Sequence, residues 1–349
     1  RTFYVASAGG GVWKSTNAGT TFRPVFENEH VSSGGMLAIA PSDTNIVYYG
    51  TGEPNTRNSI SPGAGLYKTV NGGKSWEFIG LKETEQIGRI VVNPRDANIV
   101  YVAALGHAWG ANKERGRYKS TDGGKTWALK KFVSDKAGFV DVALDPRDAN
   151  TVWASSYERV RGPYSLQSGG PGSGLWKSTD AGETWTEVKG GGFPETMKGR
   201  ISVAIAASDP NIMYTLVEAD TVSPHKKEAG VKPAKSPTGL YRSEDAGKTW
   251  TKMNDEDTRP FYYSQLRVDP TNANHVFWSS TPLKYSWDGG KTTGNTTNNV
   301  HVDHHAMWID PNDPAHIIVG DDGGVAQTWD SGGNWDSMNQ LPIGQYYNV

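Results

Sequence analysis

Short apolar runs recur along the whole chain, interleaved with polar positions and cut off by Pro, Asn, Asp or Gly. One stretch sets the pattern. Met36-Leu-Ala-Ile-Ala40 ends at Pro41, and Ile46-Val-Tyr-Tyr-Gly50 follows the turn Ser42-Asp-Thr-Asn45. Gly65-Leu-Tyr-Lys68 and Ser75-Trp-Glu-Phe-Ile79 complete the set. These runs predict four short strands, A to D, joined by tight turns. The A–B turn returns as Pro94-Arg-Asp-Ala-Asn98, Pro146-Arg-Asp-Ala-Asn150, Ser208-Asp-Pro-Asn211, Pro270-Thr-Asn-Ala-Asn274 and Pro311-Asn-Asp-Pro-Ala315. Pro presets φ and Asp or Asn caps the bend. Long helical periodicity is absent.

Between strands C and D lies a second recurring element. It reads Ser15-Thr-Asn-Ala-Gly-Thr-Thr-Phe22, then Thr69 to Trp76, Ser120 to Trp127, Ser178 to Trp185, Ser243 to Trp250, Ser286 to Thr293 and Thr328 to Trp335. The shared frame is Ser/Thr-x-Asp/Asn-x-Gly-x-x-aromatic. Asp122 or Asn71 caps backbone N–H groups further along, Gly124 or Gly73 accepts a positive φ, and the closing Trp anchors neighbouring sheets. Starts at 15, 69, 120, 178, 243, 286 and 328 place the copies about 40 to 65 residues apart, the period of a β-propeller.

The expected fold is all-β, a seven-bladed β-propeller of four-stranded blades in one domain spanning residues 1–349. Blade bounds are 1–33 plus 344–349, 34–86, 87–137, 138–198, 199–260, 261–302 and 303–343. The first blade has strands B to D (Phe3 to Ser7, Gly11 to Lys14, Thr21 to Val25) but no A, and Gly344 to Val349 reads as an unattached strand A. The C-terminal strand pairing into the N-terminal blade would close the ring and remove open edges. The competing expectation is a longer chain cut at both ends. The chain opens inside a strand without Met, so it reads as a processed or truncated segment, with further domains outside it.

Composition narrows the partners. The 349 residues include 42 Gly, 13 Trp and no Cys, with 35 basic against 37 acidic side chains and a formal charge of −2. That balance holds no polyanion, so nucleic acid is not an expected partner. Mean hydropathy of −0.58, without a long apolar run, argues against a membrane-spanning helix. No cofactor is expected.

The boxes and turns, with the segments Gly52-Glu-Pro-Asn-Thr-Arg-Asn-Ser59, Leu105 to Gly116 and Asp303-His-His-Ala-Met-Trp-Ile-Asp-Pro311, resemble bacterial Asp-box (BNR-repeat) propellers of the glycosyl hydrolase-like and sortilin-like group. The resemblance covers essentially the whole chain. It implies an extracytoplasmic, secreted or periplasmic protein, and boxes that are structural, because in sialidases they sit far from the active site. The Phe/Tyr-Arg-Ile-Pro motif of sialidases is missing, so their chemistry is not carried over.

Function is therefore sought where blades differ. The B–C connections are short in blades six and seven (Thr281-Pro282, Asp321-Asp322-Gly323) and long at Thr51–Ala64, Gly106–Arg115, Glu158–Ser173 and Ala219–Thr238. Long loops on one end of a rigid scaffold are where binding residues concentrate. Glu53, Asn55, Arg57, His107, Trp109, Glu114, Arg115, Glu158, Arg159, Arg161, Tyr164 and Gln167 fall there. Rings among carboxylates and arginines suit a glycan or a peptide. The 219–238 excursion, rich in Lys and Pro, reads as a surface segment.

A second candidate is His301-Val302-Asp303-His304-His305. In an extended chain His301, Asp303 and His305 would share a face, which makes them weak metal candidates, although none is expected. The segment should lie at the rim beside Arg200, Tyr262, Tyr263 and Tyr346. Such a rim also suits a polysaccharide lyase, with His304, His305 or Tyr as base and Arg neutralising a uronate, or a hydrogen-bonded brace. A glycoside hydrolase would draw two acids from Glu53, Glu114, Glu158 and Asp303. The expectation is a propeller that binds a glycan or peptide on its loop-rich face; the rival is a hydrolase or lyase on that face.

Overall fold

The computed structural model describes residues 2–219, 236–263, 265–297, 299–338 and 340–343. The chain is a seven-bladed β-propeller of antiparallel sheets, with a single short 3-10 turn, Lys82–Thr84, among the described residues. Blade two shows the plan. Its strands are Gly34–Ala40, Asp43–Thr51, Leu66–Thr69 and Glu77–Gly80, hydrogen-bonded in that order. The first sheet has three strands, Phe3–Ser7, Gly11–Ser15 and Arg23–Pro24. The expected closing strand at 344–349 lies outside the described residues, as does most of the 219–238 excursion.

Two compact units divide the chain. One comprises Arg1–Val142, Gly182–Thr184 and Met338–Val349; the other comprises Ala143–Ala181 and Trp185–Ser337. Each is built from apolar layers between successive sheets. In the first unit Val12, Phe26, Tyr49 and Tyr67 pack with Trp76, while Tyr48, Leu66, Ile87 and Val102 pack with Trp127. In the second, Trp153, Ile201 and Tyr241 pack with Trp250, and Phe277, Met307 and Val319 with Trp335. The closing indoles also donate backwards: Trp76 Nε1 to Val25 O and Trp127 Nε1 to Ile79 O, both at 2.7 Å.

The recurring turns are hydrogen-bonded knots. In blade three the Ser120 hydroxyl donates to Asp122 Oδ1 (2.8 Å) and accepts from Gly124 N (2.8 Å), while Thr126 N and Oγ1 donate to the same carboxylate at 2.9 and 2.6 Å. These bonds, led by the Thr126 hydroxyl, pull the Asp122 carboxyl down to about 2. Two consecutive residues are left-handed, not the one expected: Gly123 at φ 75° and Gly124 at 92°. Where the first is Ala181 or Ser331 it still adopts 58° or 59°, a conformation that costs a side chain some strain. Because Asn71 holds Ser75 N (3.0 Å), strand D of blade two starts at Glu77, two residues later than expected.

One expected loop is not a loop. Strand Val152–Gly162 runs through Glu158, Arg159 and Arg161, and Ser165–Ser168 pairs back onto it, Arg159 opposite Ser168 and Gly162 opposite Ser165. Strand Val152–Gly162 continues outward as one arm of a hairpin whose tip is Pro163-Tyr164.

Candidate functional site

In the second unit the ends of blades six and seven bring four segments together. The turn Arg259–Tyr263 precedes strand Leu266–Val268, where Tyr262 N and Tyr263 N both bond Arg259 O. Asp303 precedes strand His304–Ile309, and Asp321 ends strand Ile317–Asp321, leaving Asp322 in the tight turn that follows. Asp303 sits at φ 68°. That left-handed step breaks the alternation that would have placed His301, Asp303 and His305 on one face. Their partners differ accordingly: His301 Nδ1 lies 2.9 Å from Val302 O, Asp303 Oδ1 accepts from the Tyr263 hydroxyl, and His305 Nε2 lies 3.2 Å from Asp322 Oδ1. Among the described residues no group of three His, Asp or Glu side chains gathers to hold a metal ion.

The imidazole of His305 is the centre of the cluster. It stacks on Tyr263 (centroids 5.7 Å apart, 26°) and meets Tyr262 edge-on at 4.5 Å. The Arg259 guanidinium lies over the Tyr262 ring at 4.7 Å. Tyr262 donates weakly to Asp322 Oδ2 (3.4 Å), and the Tyr263 hydroxyl also meets Thr281 Oγ1 at 3.0 Å. Burial, with the Asp322 and Asp303 charges adding, pushes the Tyr262 hydroxyl up to about 12. Burial and the bond to Asp303 raise Tyr263 as well. Both phenols are donors at neutral pH. The His305 hydrogen bond holds Asp322 below the ordinary carboxylate range, so Asp322 is an ionised acceptor whose side chain is 44% exposed.

Behind this surface, His304 is fully buried with Nε2 2.9 Å from Thr297 Oγ1. Burial pulls it down to about 4.

The other expected residues fall in three places. In the second unit, Arg200 Nη1 donates to Phe261 O at 3.1 Å, which ties strand Lys198–Ile205 to the turn bearing Tyr262 and Tyr263. Glu158 is buried and accepts from Gln167 Nε2 (3.0 Å) and Gly172 N (2.9 Å), holding its own hairpin. Arg159 is buried, Arg161 is half-buried and Tyr164 is fully exposed at the tip.

In the first unit, Glu53 bonds Arg57 and Ser61 N within one loop, where Asn55 also sits. Arg115 is completely buried, donating to the carbonyls of Leu105, Lys136, His107 and Gly110. His107 Nε2 meets Glu83 O at 3.1 Å, Glu114 accepts from Asn112 at 3.3 Å, and Trp109 is 48% exposed.

Sequence reading passed over Asp322 and Arg259, and over Glu218, a strand carboxylate raised by burial and bonded by Ser168 Oγ and Arg200 N. The available signal was the acidic pair in an otherwise minimal connection, and a Glu closing the apolar run Met213 to Val217.

No family model matches the chain. A probable oligoxyloglucan-reducing end-specific xyloglucanase from Neosartorya fischeri is 27% identical over 259 residues, covering 72% of this chain and 27% of that protein. A xyloglucanase from Paenibacillus is 23% identical over 281 residues, 78% of this chain and 21% of that one. The chain thus spans about a quarter of the length of these curated relatives. Among solved structures, the GH74 enzyme of Niastella koreensis superposes with a TM-score of 0.66 at 19% identity, over 95% of this chain and 50% of that chain. YCF48 bound to D1 peptide superposes at 0.59 and 13% identity, over 95% and 90%. These likenesses to solved structures speak for the fold. The curated relatives are xyloglucanases.

Proposed function

We propose that this propeller acts on glycans of the xyloglucan type, and that the cluster around His305 is where it does so. The observation that carries the reading is that the two stacked rings each meet a carboxylate, Tyr263 bonding Asp303 and His305 contacting Asp322. Aromatic faces suit the C–H faces of a pyranose, phenol hydroxyls and the Arg259 guanidinium suit its oxygens, and two carboxylates are what glycoside hydrolysis requires. In this reading Asp322, ionised and partly open, serves as base or nucleophile and is oriented by His305, while Asp303 protonates the departing glycosidic oxygen.

Kinship with xyloglucanases favours hydrolysis over a lyase reaction. Tyr262 sits at about 12, and His304 is enclosed and held at about 4, so neither supplies an accessible base near neutral pH, which leaves His305 as the base for that rival. An extracytoplasmic setting accords with a polysaccharide substrate, and the Asp-box kinship accords with the knotted turns.

The test is release of reducing ends from xyloglucan. Asp322→Asn and Asp303→Asn should each lower turnover by about 100-fold or more while the protein stays folded. A chain that retards on xyloglucan gels without cleaving would leave a binding module; one that neither binds nor cleaves any β-glucan overturns the proposal.

A further inference from the structure

The seven turns provide an internal control for one another, and two of them carry an addition. At the second position of the box the chain has Thr16, Val70, Thr121, Thr179 and Glu244 in the first five copies, but Trp287 and Trp329 in the last two. One residue before the strand-B partner of the box Ser or Thr it has Ile46, Ile99, Thr151 and Ile212 in blades two to five, but His275 and His316 in blades six and seven. The paired changes are spatially paired. His275 meets the Trp287 ring edge-on at 4.7 Å, and His316 stacks flat on Trp329 at 3.7 Å and 1°. Each imidazole is braced in turn by the Asp that ends strand A: His275 Nδ1 lies 3.3 Å from Asp269 Oδ2, and His316 Nδ1 lies 3.7 Å from Asp310 Oδ2.

The turn does not require these indoles. With Val70 in that position, Thr69 still bonds Asn71 and Gly73 at 2.8 and 3.0 Å; with Trp329, Thr328 bonds Asp330 and Gly332 at 2.7 and 3.0 Å. Nor are they core. Trp287 and Trp329 are 41% and 51% exposed, and their indole N–H groups make no hydrogen bond among the described residues, unlike those of Trp76 and Trp127. Trp329 lies flat on His316, whereas Trp287 is wedged among His275, Tyr285 at 4.7 Å and Phe277 at 5.4 Å. A large ring held in place, partly exposed and with its N–H unbonded among the described residues, is a binding platform whose ordering cost is already met.

The surroundings select the ligand. Asp288, next to Trp287, lines an open cavity of about 560 Å³ together with Arg242, Glu244, Thr249, Asn274 and Lys291. Arg242 is held there by Asn274 Oδ1 at 2.8 Å and Glu244 at 3.0 Å. Acidic groups, Asp269, Asp288, Asp310 and Asp330, stand beside both indoles, which disfavours polyanions. Flat apolar faces edged by carboxylate and amide oxygens match a neutral chain of pyranose rings, whose C–H faces stack while its hydroxyls take the polar rim.

We propose that the box-turn end of blades six and seven is a second glycan-binding surface, with Trp287 and Trp329 as stacking platforms for a neutral β-glucan. This rests on the glycan reading of the protein but assigns it a contact surface away from the His305 cluster, on the turns at the other end of the strands.

Affinity electrophoresis of the chain through gels containing xyloglucan tests it. Trp287→Ala and Trp329→Ala should each weaken retardation by about three- to tenfold and the double variant more, with Val70→Ala as an unaffected control. Oxidative footprinting of the unaltered protein provides a reading independent of variant folding: xyloglucan should shield both indoles. Retardation unchanged in a folded double variant, or indoles unshielded at saturating glycan, overturns the platform alone. A parent chain that no glucan retards overturns the glycan reading with it.

Discussion

His304 Nδ1 lies 3.9 Å from Asp321 Oδ2, with both side chains shut off from solvent and neither atom hydrogen-bonded among the described residues. The imidazole is lowered to about 4, first by burial and then by its neighbour His305, and the carboxyl is raised to about 6 by burial. The pair is most comfortable neutral, and its two members pull stability in opposite directions with pH.

For His304 the folded value is below the unfolded value of about 6.5, so the unfolded chain binds the extra proton. Its contribution is complete above about 6.5 and is lost as pH falls through about 4. For Asp321 the folded value is above the unfolded value of about 3.9, so its contribution is complete below that and is lost as pH rises through about 6. Melting temperatures between pH 4 and 7 should therefore separate the two. Asp321→Asn should gain on the parent as pH rises across this range, whereas His304→Gln should lose least, relative to the parent, at the acid end. Parallel curves for parent and both variants would contradict the assignment.

In the first two copies the Lys before the box reaches forward to the next turn. Lys14 Nζ donates to Gly72 O at 2.7 Å and Lys68 Nζ to Gly123 O at 3.0 Å, the latter ammonium also lying over the Tyr48 ring at 5.2 Å. Lys68→Met keeps the stem and removes the donor, and should cost about 1.5–3 kcal/mol as a lost charge-assisted bond. Urea denaturation measures it. A change within error would mean that water replaces the contact.

Trp127 is half-buried in the layer with Tyr48 and Ile87 and bonds Ile79 O. Trp127→Ala should cost about 3 kcal/mol or more and leave glycan affinity untouched in the folded fraction. Loss of binding at unchanged stability would assign the closing indoles a ligand role.

Tyr263 joins Asp303 and Thr281 through one hydroxyl. Tyr263→Phe keeps the ring against His305 and removes that link. Turnover on xyloglucan should fall by about tenfold or more with little change in KM. Unchanged turnover in the folded variant would exclude the Tyr263–Asp303 link from the reaction.

Blade count, strand order and turn chemistry were legible in the residues, because each depends on neighbours a few positions apart. Short apolar runs such as Met36 to Ala40, ended by Pro41, mark where strands begin and end, and Ser120, Asp122 and Gly124 complete their knot within five residues. The hairpin at Val152–Ser168 was not legible. Glu158, Arg159 and Arg161 look like solvated loop, and only pairing with Ser165–Ser168 makes them strand.

The site shows the same division more sharply. Composition and pattern alone determined a repeated antiparallel architecture and put His304, His305, Tyr262 and Tyr263 at one end of it. Only the tertiary structure decided that His305 answers to Asp322, in the turn after another strand, and that Asp303 turns to Tyr263 through a left-handed step. The reason is physical: local periodicity sets direction along a strand, whereas which side chains meet is decided by how successive sheets stack and where the backbone departs from extended geometry.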